Sequence, residues 1–141
     1  MTTHPETSIS VFVVHPDGTH EAKTLPVDGG MALRGLQEAV GGYIQPLTFD
    51  TTDGELDLWL DEDGMAKRLE INLMAMWVTA RLRCSRKPFS EPLLGAGVFT
   101  ASDKEGNTRS LTPAMLRELE RLADGYSRVE LPATLRAGAY V

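Results

Sequence analysis

The chain has 141 residues, 42% hydrophobic and 24% charged, with a formal net charge of −6. That length suits one domain around one core, and the acidic balance disfavours non-specific binding to nucleic acid or anionic membrane. No apolar run approaches the roughly 20 residues of a bilayer-spanning helix, and a single cysteine, Cys84, excludes an internal disulfide or a self-sufficient structural zinc site. The start MTTHPETS lacks the basic and apolar regions of a secretory signal, so a cytoplasmic location is the expectation.

Residues 1–7 read as a loose tail, 8–125 as a single domain, and 126–141 as a tail or late strand. SISVFVV is β-branched and aromatic, which predicts a strand. HPDGT is a turn signal, and HEAKTLPV returns as the second strand of a hairpin. DGGMALRGLQEAVGG predicts a short helix capped by Asp28, with Leu33, Leu36 and Val40 near one face, ended by Gly41 and Gly42. YIQPLTF follows as a strand that Pro46, lacking a donor, confines to a sheet edge or a bulge. ELDLWL alternates, with Leu56, Leu58 and Leu60 on one side and Glu55, Asp57 and Trp59 on the other. DEDG supplies a turn, after which MAKRLEI can pair back.

Asn72 is placed to cap a helix over LMAMWVTARLR, with Leu73, Met76, Trp77 and Ala80 on its inner face. Trp77, Met65, Met74 and Met76 read as core. PLLGAGVFTA predicts a core strand in which Gly95 and Gly97 mark a bulge or a close backbone approach. Thr112 and Pro113 open a last helix lined by Leu116, Leu119, Leu122 and Ala123 and stopped by Gly125. Strands in hairpins with helices between them predict an α+β fold: a mainly antiparallel sheet of β-hairpins with about three helices on one face.

Charge is unevenly spread. Residues 1–70 hold 13 acids and 4 bases, residues 71–141 hold 7 and 10, and residues 50–63 hold seven acids and no base. That run is a solvated face or a docking surface for a basic partner. As a calcium loop it fails. With Gly64 at position 6, the first ligand position falls on Trp59 and the ninth on Lys67. His4, His15 and His20 lack a third ligand at metal-binding spacing. Cys84 lies among Arg83, Arg86 and Lys87, a basic setting for a thiol, but no histidine is placed beside it to serve as base. Asp61 and Asp63 read as turn residues rather than an acid–base pair. DGG, VGG and GAG lack the lysine and spacing of phosphate loops. No metal and no cofactor is therefore expected. The basic run of Arg81, Arg83, Arg86 and Lys87 suits a helix C-terminus or a small nucleic-acid contact.

Taken in order, LQEAVGGYIQPL, LDEDG, LEINLMA and LLGAGVF resemble a small domain of unknown function found in bacteriophages and bacterial mobile elements. That family shows an LQ-x-x-VGG-Y-I-E-like segment, an acid-acid-x-Gly turn, a Leu-x-x-Asn-x-x-Ala segment and a later glycine-containing strand. Gln45 stands where the family pattern has an acid, and the proline between its Leu and Asn is absent here. The resemblance implies no activity. It implies an accessory protein in the cytosol of a bacterial host, and such proteins often act by binding a host protein. The expectation is a non-enzymatic binder of a host protein, with Asp53, Glu55, Asp57, Asp61, Glu62 and Asp63 at the contact; mimicry of nucleic-acid phosphates is a stronger form of it. The alternatives are nucleic-acid binding through residues 81–87 and an enzyme whose site leaves no motif. Homo-oligomerisation through the Pro46 strand or the C-terminal tail stays open.

Overall fold

A computed structural model describes residues 8–27, 32–85 and 89–128. The first apolar run forms β1 (Ser8–Val14) and pairs antiparallel with β2 (His20–Pro26). Asp17 closes the turn, its carboxylate accepting from the Thr19 N–H and hydroxyl. Helix α1 (Leu33–Val40) ends where Gly41 turns left-handed at φ 93° and its N–H reaches Gln37 O at 2.8 Å. β3 (Ile44–Thr51) and β4 (Gly54–Asp61) make a second hairpin. α2 (Leu73–Leu82) follows, then β5 (Gly97–Ser102), the two-residue β6 (Thr108–Arg109), and α3 (Pro113–Arg128).

The strands form one antiparallel six-stranded sheet in the order β2-β1-β5-β4-β3, with β6 also on β5. The α+β class, the β1–β2 hairpin and the three helices are those the sequence predicts. Pro46 sits on the edge strand β3, where a missing donor costs no ladder bond and discourages pairing with another chain.

The helices do not share one face. Phe12, Val14, Leu56, Leu58 and Phe99 pack with α2 and α3, whereas Ile9, Val11, Val13 and Val98 pack with Leu36 and Val40 of α1 on the opposite face. The reason lies in β1. From Val11 to Val14 its even and odd residues are all apolar, so each side must be covered there. Phe12 and Phe99 are fully buried, each worth roughly 1.5–3 kcal/mol of transfer free energy.

Four local expectations are corrected. Residues 65–71 do not return as a strand. β4 already has β3 on one side and β5 on the other, so the chain runs instead through consecutive turns, with a lone bridge at Ile71 and Leu94. α2 buries Met74, Ala75 and Val78 most deeply, while Ala80 is exposed. Gly125 does not stop α3, which runs on to Arg128; a Cβ there would make an ordinary 3.5 Å contact with the Trp77 ring. Leu33 is 45% exposed rather than packed with Leu36. Residues 126–128 of the predicted C-terminal tail belong to α3; the proposed cap Asp28, the N-terminal tail and residues 129–141 lie outside the described residues.

Candidate functional site

The acidic run does not make one surface. β4 carries its two ends apart, by roughly 23 Å at about 3.3 Å per residue. At the β3–β4 turn, Asp53 is exposed and its N–H donates to the Thr51 hydroxyl. Half-buried Glu55 accepts from the Ser102 hydroxyl at 2.7 Å. Midway along, Asp57 is only 6% exposed. It accepts from the Thr48 hydroxyl, and its sheet neighbour Thr100 accepts from Trp59 Nε1 at 2.9 Å.

Burial pushes the Asp57 carboxyl above the ordinary carboxylate range. The Thr48 hydrogen bond opposes the shift and the Glu55 charge adds to it. A folded pKa above the unfolded one means that the stability contribution is complete below the unfolded pKa and lost as pH rises through the folded value. Asp57→Asn, which keeps the acceptor for Thr48, is therefore expected to raise the melting temperature at pH 7 and to leave it nearly unchanged at pH 3. A lower melting temperature at pH 7 contradicts this.

At the other end, Asp61 is also buried, its side chain 2% exposed. Oδ1 accepts from the Asp63 N–H and Oδ2 from Lys67 Nζ, each at 2.8 Å. Burial works against the charge, but the Lys67 hydrogen bond, the Asp63 N–H and the Lys67 charge outweigh it and hold the carboxyl below its ordinary range. Gly42 packs directly on this pair. A Cβ there would stand 2.5 Å from Lys67 Nζ and 2.7 Å from Asp61 Oδ2. The VGG turn and the DEDG turn are thus latched together. Glu62 and Asp63 remain exposed.

This end also carries apolar surface. Tyr43 and Met65 are both 69% exposed, and Tyr43 O accepts from the Glu62 N–H at 2.9 Å, which seats the tyrosine beside the acidic turn. Met65 lines a cleft of about 580 Å³ between the 61–66 segment and residues 89–94. Buried Leu60 and Leu93 and half-buried Leu47 and Phe89 form its base. Exposed Glu62, Asp63 and Glu91 stand around it, and the described residues lining it include no Lys, Arg or His.

The predicted basic patch is engaged within the fold. Arg81 lies 3.7 Å over the Trp77 ring and Arg83 lies 4.2 Å over Phe89; Arg86 and Lys87 lie outside the described residues. Exposed Cys84 is held by its N–H to Asp50 O. His20 packs its ring on Phe12 and approaches Asp124 at 3.4 Å. Among the described residues no group of three or more His, Cys, Asp or Glu side chains is arranged to hold a metal ion.

Of the six acids expected at a contact, Glu62, Asp63 and buried Asp61 line the cleft, Asp53 and Glu55 lie at the far end of the hairpin, and Asp57 is interior. Sequence reasoning missed Tyr43, Met65 and Glu91. Met65 reads as core among its neighbours Met74 and Met76, which are buried; its place just after DEDG is the signal that it belongs to a turn. No helix among the described residues is long and apolar enough to cross a membrane.

No curated protein and no solved structure matches the chain. A family profile, a domain of unknown function, matches residues 9–124, from β1 through most of α3. With that match spanning most of its length, the chain belongs to the DUF3846 family.

Proposed function

We propose that this is a non-enzymatic accessory protein of a bacteriophage or mobile element that acts in the cytosol of a bacterial host by binding a host protein. The observation that carries this reading is the clustering of exposed Tyr43 and Met65 with exposed Glu62 and Asp63 beside an open cleft. Exposed apolar side chains gathered in a polar surround are a feature of interaction sites. Aromatic and methionine residues are also enriched where proteins meet.

The alternative contact, nucleic acid at residues 81–87, draws less support. Arg81 and Arg83 are stacked on rings of their own chain.

Affinity capture from host lysate treated with nuclease tests the proposal. The wild-type protein is expected to retain a stoichiometric protein partner. Tyr43→Ala with Met65→Ala is expected to lose at least roughly tenfold in recovery, as truncation of central contact residues does. Recovery unchanged by that pair of substitutions, or recovery only without nuclease, contradicts it.

A further inference from the structure

We infer that the cleft between residues 61–66 and 89–94 seats a short extended segment of a partner protein in which an aliphatic side chain is flanked by lysine or arginine. This rests on the reading of that end of the molecule as a protein-binding surface and goes further, by fixing the chemistry of what is bound.

Three features converge on it. The base of the cleft is hydrocarbon, from Leu47, Leu60, Phe89 and Leu93, so it rewards burial of an apolar side chain. Its size, about 580 Å³, falls within the range of clefts that enclose a compact group. Among the described residues that line it, the charged ones are acids: Asp61, Glu62 and Asp63 in one segment and Glu91 in the other. An apolar residue with basic neighbours answers both features at once, whereas an acidic segment is repelled from either side.

The third feature is the edge strand. Gln45, Pro46 and Leu47 of β3 line the cleft, and among the described residues β3 pairs with β4 alone. Its outer edge offers main-chain groups to an extended segment. Pro46 lacks an N–H, so only a short run of such bonds can form. The segment is therefore held by one apolar anchor, flanking charge and a few backbone bonds. Binding of that kind weakens with salt, because the acids are exposed and screened.

A random twelve-residue peptide display library panned on the full chain tests this. Selected peptides are expected to share an aliphatic residue with lysine or arginine within two positions on either side. A synthetic copy of the selected sequence is expected to bind at least about tenfold more weakly when Glu62 and Asp63 are both replaced by Lys, and also when Glu91→Lys is tested alone, with the effect shrinking as salt rises. All three positions are exposed, so folding is expected to survive, and an unchanged circular dichroism spectrum checks it.

An acid-rich or purely apolar consensus overturns the inference. So does affinity indifferent to both charge reversals, or the absence of any selected peptide. Each of those results leaves the wider binding reading standing if a host protein is still captured through Tyr43 and Met65. Loss of that capture removes the wider reading itself.

Discussion

Asn72→Asp is expected to destabilise the protein at least as much as Asn72→Ala, by about 3–5 kcal/mol. Aspartate is ordinarily as good a helix cap as asparagine, so capping alone predicts a mild effect. The geometry says otherwise. Asn72 is fully buried. Its Oδ1 accepts from the Ala75 N–H at 2.9 Å, which is the cap. Its Nδ2 donates to Val14 O at 3.1 Å and to Gly95 O at 2.8 Å. One side chain therefore ties the end of β1, the segment before β5 and the start of α2. Alanine strands all three partners in the interior. Aspartate keeps the cap but turns an acceptor and a buried charge toward two carbonyl oxygens. Chemical denaturation of the two variants checks this. The loss in N72D should shrink at low pH, where the new carboxyl is protonated and can donate. An N72D protein as stable as wild type at pH 7 contradicts the role assigned to Nδ2.

Gly42→Ala is the second large effect, at about 1–3 kcal/mol. The added methyl falls on Lys67 Nζ and Asp61 Oδ2. The lysine end can move away. The carboxylate is less free, since the Asp63 N–H also holds it. In a Lys67→Gln background the cost of Gly42→Ala is expected to fall, because part of it is the displaced pair. The pH profile gives an independent reading. The folded pKa of Asp61 lies below its unfolded value. Its contribution is therefore present above the unfolded pKa, near 3.8, and is lost as pH falls through the folded one. Gly42→Ala should flatten that acid limb. An equal cost in both backgrounds and an unchanged acid limb contradict the latch.

These two positions show which parts of the fold can be read from sequence. The Asn72 cap, the Gly41 helix stop, the β1–β2 hairpin and the edge position of Pro46 are local chemistry, and local chemistry is written in neighbouring residues. The faces were harder. α2 is LMAMWVTARL, with only Thr79 and Arg81 polar, so no period singles out the side that Met74, Ala75 and Val78 bury. The second face of the sheet was signalled by VFVV in β1, whose alternate residues are all apolar. The acidic run misled because a strand turns alternate side chains apart and separates its two ends. Asp57 went inward and Asp53 and Asp63 went to opposite ends. Glu91 joins the cleft from nearly thirty positions away in sequence, a pairing brought about by the bridge of Ile71 to Leu94 and the hydrogen bonds of Asn72 N–H to Leu93 O and Gly95 N–H to Glu70 O. The VGG and DEDG segments, the ones most suggestive of chemistry, hold each other in place through Gly42, Asp61 and Lys67, and their exposed remainder is what is left to meet a partner.

The most direct test of that last point compares the two ends of the β3–β4 hairpin in living host cells. A photo-crosslinking amino acid is placed at Met65 in one variant and at Asp53 in another. Both sites are exposed. The expected result is a discrete adduct with a host protein from position 65 and none from position 53. Adducts from position 53 alone, or from neither position, would contradict a contact surface at the 61–68 turn.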